Sequence, residues 1–145
     1  ATTFGSFGAL SGKWSGGVLA PNGKIYCIPS TSASVLVIDP TTNTSSTFGS
    51  FGTLSGKWSG GVLATNGKIY CIPYNDTSIL VIDPVTNTAT TFGLYFSTSV
   101  WLGGVLAPNG KIYGIPNNNT SILVIGDTNI PQDMNKVLSR YLNKF

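Results

Sequence analysis

Five aspartates are the whole acidic stock of this 145-residue chain: Asp39, Asp76, Asp83, Asp127 and Asp133. There is no His and no Glu. Nucleophile systems of the Ser-His-Asp or Cys-His kind need an imidazole base, so they are excluded. Two cysteines, Cys27 and Cys71, cannot make a zinc site without His. A glycosidase-like pair would have to use two Asp. Asp39 and Asp83 each stand before Pro, in Asp39-Pro40 and Asp83-Pro84, and read as turn residues that cap backbone amides. Asp127 is displaced by one residue from that pattern and is assigned no chemistry. Calcium held by Asp and backbone carbonyls is the one metal chemistry left open. The expectation is no enzyme, no metal and no cofactor, with a hydrolase or lyase as the less favoured alternative.

Recognition of a polar ligand is a better match to the residues. Tyr74-Asn75-Asp76 and Asn117-Asn118-Asn119 combine an aromatic ring with amides and a carboxylate. Rings stack on the apolar faces of sugars while amides and carboxylates bond the hydroxyls. Lys57 and Trp58 stand close by in this reading, although a Trp that recurs with a repeat is more often packing. The same loops carry N-glycosylation patterns at Asn75, Asn118 and Asn119, with another at Asn43. In a chain where Ser, Thr and Asn supply 45 residues, chance matches to that pattern are expected.

A repeat positions these residues. Residues 4–47 and 48–91 are identical at 34 of 44 positions. Trp14 recurs as Trp58, Gly16-Gly17 as Gly60-Gly61, and Asn22-Gly23-Lys24-Ile25-Tyr26 as Asn66-Gly67-Lys68-Ile69-Tyr70. A third copy follows after one deletion, with Trp101, Gly103-Gly104 and Asn109-Gly110-Lys111-Ile112-Tyr113. Of the ten differences between the first two copies, four fall together: Ser30-Thr31-Ser32-Ala33 becomes Tyr74-Asn75-Asp76-Thr77. That stretch is the variable loop that holds the candidate ligand residues.

Each copy parses into four strands. In the second these are Trp58–Ala64, Lys68–Pro73, Ser78–Asp83 and Thr88–Phe92. Asn66-Gly67 supplies the positive φ angles of a tight hairpin. Ile69 and Cys71 fall on one face of their strand, Tyr70 and Ile72 on the other. Four strands in about 44 residues, repeated, predict one β-propeller blade per copy.

The block Gly60–Tyr70 followed by Ile79–Thr88 resembles the YVTN and NHL class of propeller repeats, common in microbial surface-layer and other extracellular propellers. The resemblance implies an extracellular or cell-surface protein whose blades bind or scaffold. Such propellers usually have six or seven blades, and this chain has three.

The expected fold is therefore all-β: a circularly permuted propeller of three four-stranded blades over residues 1–127. Its parts are an outer strand at 2–5, blade one at 11–48, blade two at 55–92 and blade three at 99–126. Thr2-Thr3-Phe4-Gly5 is equivalent to Ser46-Thr47-Phe48-Gly49, which ends an outermost strand, whereas the third copy runs out after its third strand. Between chains, Thr2, Thr3 and Phe4 would pair with Ile122, Leu123, Val124 and Ile125, so that the partner is the protein itself. Two copies joined head to tail give a six-bladed ring, and a rotation that does not close gives a filament.

Residues 128–145 differ. Ile130, Met134, Val137, Leu138, Tyr141, Leu142 and Phe145 fit one face of an amphipathic helix covering the propeller. The net charge of +3 is spread singly, which argues against nucleic acid, and no apolar run is long enough to span a membrane as a helix. Ala1 in place of an initiator Met fits a chain trimmed after a signal peptide or otherwise. The cysteines recur in successive blades, where strands diverge beyond the reach of a disulfide, and read as small buried apolar residues.

Overall fold

The computed structural model describes residues 1–93 and 100–126. The described chain is all-β, in three consecutive antiparallel sheets. The first holds β1 (Trp14–Leu19), β2 (Ile25–Pro29), β3 (Val35–Asp39) and β4 (Thr44–Phe48) in chain order. The second repeats it with β5 (Trp58–Leu63), β6 (Ile69–Pro73), β7 (Ile79–Asp83) and β8 (Thr88–Phe92). The third has β9 (Trp101–Leu106), β10 (Ile112–Pro116) and β11 (Leu123–Ile125).

Local chemistry sets the hairpins. Asn66 Oδ1 accepts the Lys68 N–H at 3.0 Å, and Gly67 takes φ +78°, which a residue with a Cβ adopts reluctantly. Asp83 Oδ1 accepts the Val85 N–H at 3.0 Å, and Asp39 does the same for Thr41. Asn43 and Asn87 close those turns at φ 53° and 50°. On the innermost strand the register shifts between Trp58 and Gly61, with Gly60 at φ +76°: a bulge in each copy that turns the strand.

The core lies between sheets. Tyr26, Ile28, Val35 and Val37 of the first pack against Trp58, Ile69, Cys71, Leu80 and Ile82 of the second. The second sheet's other face, with Ile72 and Ile79, packs against Trp101, Ile112, Leu123 and Ile125. The glycines of the inner strands permit the approach: a Cβ on Gly60 would lie 3.5 Å from the Gly103 Cα.

Among the described residues the third sheet has three strands, in keeping with a copy that runs out after its third strand, so it is not a full four-stranded blade; β11 begins at Leu123, leaving Ile122 outside it. Within the single chain residues 2–5 lie in no strand. Phe7 packs edge-on against Trp14, with centroids 5.2 Å apart. The helix expected over 128–145, with Asp127 and Asp133, lies outside the described residues.

Candidate functional site

The loop between the second and third strands of each sheet and the connection into the next sheet lie together. Phe51 N–H donates to the Ala33 carbonyl at 2.7 Å, and Lys57 N–H to the Ser30 carbonyl at 3.1 Å. Phe51 then stands edge-on to Trp58, with centroids 5.8 Å apart. Along this face a cavity of about 200 Å³ is lined by Ser15, Ser30, Gly56, Trp58, Ser59, Tyr74 and Leu102, drawing on all three sheets.

The sequence-selected residues divide between this cavity and the turns. Tyr74 is half-buried and lines the cavity. Asn75 is exposed, and its amide donates to the Ser55 carbonyl at 2.9 Å. Asp76 accepts the N–H of Ser78 at 2.9 Å and its hydroxyl at 2.6 Å, which fixes the loop. Asn119 accepts the Ser121 N–H at 2.9 Å in the same way. Asn117 and Asn118 are exposed, and the Asn117 N–H is held by the Val100 carbonyl. Asp76 and Asn119 are thus turn-formers before anything else.

Trp58 is almost wholly buried, and its indole N–H donates to the Ser78 carbonyl at 2.8 Å. Trp14 and Trp101 bond Ser34 and Ser121 identically, each at 2.9 Å. The three tryptophans therefore tie the first strand of each unit to the start of its third. Of the three, Trp58 alone lines the cavity.

Lys57, chosen from the sequence as a ligand-side residue, takes a different place. It has no exposed surface, and its ammonium donates to the carbonyls of Ser30 and Ser32 at 2.9 Å and of Leu54 at 3.1 Å. Burial pushes its pKa down, and the negative charge of Asp76 offsets part of that. It is a clamp between sheets, unavailable as a ligand-facing cation. The sequence signal was faint: Lys13 and Lys57 recur, but the third copy has Val100.

Among the described residues no three His, Cys, Asp or Glu side chains gather where they could hold a metal ion, and no helix is long and apolar enough to cross a membrane. Cys27 is half-buried, Cys71 is buried, and both are free thiols.

Comparison with protein families and with curated proteins finds no match. Solved structures do match. Virginiamycin B lyase from Staphylococcus aureus is 15% identical with a TM-score of 0.66, over 77% of this chain and 37% of that one. The same enzyme was solved with quinupristin as a catalytically inactive variant in which one histidine is replaced by alanine. An auxiliary nutrient binding protein from Bacteroides ovatus is 21% identical with a TM-score of 0.57, covering 74% of this chain and 27% of the other. The extracellular domain of a two-component system from B. thetaiotaomicron is 16% identical with a TM-score of 0.60, over 81% and 14%. The chain spans well under half the length of each of these proteins. At such identities the likeness bears on architecture alone, and with the sheets described above it establishes a β-propeller-like fold built from blade repeats.

Proposed function

We propose that this protein is a non-catalytic, extracellular propeller unit that acts as a structural scaffold by exchanging a strand between chains. One observation carries the reading: among the described residues β11 pairs with β10 alone, and the sequence that fills the equivalent edge in the first two sheets stands at residues 1–4. In the first sheet Val35 faces Phe48, Leu36 faces Thr47 and Val37 faces Ser46. Transferred through the repeat, Ile122 would face Phe4, Leu123 would face Thr3 and Val124 would face Thr2 of a second copy. An open sheet edge left unpaired is an invitation to association, and this one has a matched partner. Two chains joined this way hold six blades, within the range of about four to eight over which propellers close.

The non-catalytic part rests on residue inventory. The structurally similar lyase is inactive when a histidine is replaced, and this chain has no His. An extracellular location is supported by the outer-surface domain among its structural neighbours. The test is the native mass by light scattering across concentration. A strict monomer overturns the scaffold reading; a dimer supports the ring, and an unbounded polymer supports a filament.

A second reading, a carbohydrate-binding module, is favoured by the cavity in front of Tyr74. Binding on a glycan array that is lost in Tyr74→Ala would establish it. A mass shift on deglycosylation would instead show that Asn43, Asn75, Asn118 or Asn119 carries sugar.

A further inference from the structure

We infer that the outer face of the third sheet docks onto the outer face of the first sheet of a second copy, through contacts that the chain already makes once internally. This rests on the self-assembly reading but adds an interface separate from edge pairing.

The seam between the first and second sheets has three parts. Ile28 enters the space left by Gly61: a Cβ there would lie 2.7 Å from Ile28 Cδ1. The Tyr26 hydroxyl donates to Asn87 Oδ1 at 2.7 Å and lies 3.2 Å from the Pro84 carbonyl, to which Asn22 Nδ2 also donates at 3.1 Å. The Lys57 ammonium crosses to the carbonyls of Ser30 and Ser32.

The two outer faces display the separated halves of these contacts. Ile115, the equivalent of Ile28, is 47% exposed, where Ile28 and its second copy Ile72 are at 0%. The nearest atoms to a Cβ on Gly17, the equivalent of Gly61, belong to Ile25, Cys27 and Tyr26 of its own sheet. Asn109 donates to the Tyr113 hydroxyl at 2.9 Å, a pair poised as Asn22 and Tyr26 are. Their acceptors would be Pro40 and Asn43, both exposed, whereas the equivalent Pro84 is buried under the first sheet's contacts. Lys13 takes the Leu10 carbonyl as Lys57 takes that of Leu54. Its cross-sheet acceptors would be the carbonyls of Asn117 and Asn119.

Burial points the same way. Ile122 and Val124 are 62% and 47% exposed, while their equivalents Val35 and Val37 are covered by the second sheet. A contiguous apolar face of this kind marks an interaction surface. Its occupant is specified by the chain: the surface that covers Ile28, Val35 and Val37 recurs on the first sheet, where no sheet among the described residues lies against it. The contact is heterologous, head to tail.

Sedimentation velocity on the 145-residue chain, with Ile115→Asp, Lys13→Ala, a deletion of residues 1–4 and the exposed control Val85→Asp, tests the inference. Ile115→Asp is expected to weaken association at least tenfold and Lys13→Ala several-fold, with Val85→Asp unchanged. Labelling of Cys27, on the first sheet's outer face, should slow as wild-type concentration rises. If Ile115→Asp and Lys13→Ala associate like wild type while the deletion abolishes association, edge pairing acts alone and the face contact is wrong. Wild type that stays monomeric at every concentration overturns both. Circular dichroism identifies a variant that has unfolded, in which case Lys13→Ala and Cys27 protection decide.

Discussion

Ile28 Cδ1 and the backbone of Gly61 fit so closely across the first seam that the glycine has no room for a methyl group. The added Cβ would lie 2.7 Å from Ile28 Cδ1, 3.1 Å from its Cγ1 and 3.1 Å from Ile69 Cγ2, all in side chains with no exposed surface. Gly61→Ala should therefore destabilise the chain by about 1–3 kcal/mol, the usual cost of overpacking. Urea unfolding measures it, and Ile28→Val in the same background should recover part of the loss.

Lys57 gives a second prediction. Replacement by Met keeps much of the stem's volume but takes the ammonium from three carbonyls, two of them on the neighbouring sheet, and of these only that of Ser30 keeps a second donor, the Lys57 N–H. A cost on the order of 1–3 kcal/mol is expected for the orphaned groups. Lys13→Met in the monomer should cost far less, since among the described residues the Lys13 ammonium bonds only the Leu10 carbonyl in the adjoining turn. Equal losses in the two variants would rule out the clamp.

Acid should loosen the second sheet. Partial burial would raise the Asp83 pKa, but the Val85 N–H, the Lys68 ammonium at 3.3 Å and the Thr86 N–H outweigh it and hold the carboxylate below its usual value. The folded pKa is depressed, so the stabilisation is present above the unfolded value of about 4 and is lost as pH falls through the folded one. Asp83→Asn should flatten the acid limb of a melting-temperature profile below pH 4 and lower stability at neutral pH.

The thiols should separate under a labelling reagent. Burial raises the pKa of both, and far more for Cys71, which has no exposed surface. Only the thiolate reacts, so Cys71 should label at the rate of unfolding and Cys27 faster in the monomer. Mass spectrometry of the modified peptides reads the order directly.

Much of this architecture was legible in the sequence because the repeat writes the Asn-Gly turn three times and the Asp-Pro turn twice. Asn66-Gly67 and Asp83-Pro84 form the turns their chemistry requires, and Ile69 and Cys71 do share a face opposite Tyr70 and Ile72. The bulge at Gly60 escaped because Gly-Gly in a strand reads equally well as crowding. Lys57 was singled out as a ligand-side residue, but its burial was not legible: only the neighbouring sheet's carbonyls make a buried ammonium tolerable there. The candidate ligand residues stand in a loop that varies between copies, and Asp76 and Asn119 hold that loop's own backbone. Residues 2–5 were legible as a strand by equivalence, and a strand needs an edge to lie on, which the single chain does not bring to them.

The replacement of the clamp lysine by Val100 makes the two seams mechanically unequal. The first seam is pinned by an ammonium that must shed two cross-sheet carbonyls before the sheets can part. At the second seam Val100 stands in its place, and among the described residues no ammonium crosses between those sheets. Pulled along the strand of connected sheets, the molecule would yield first between its second and third units, leaving the first pair intact as the element that resists extension.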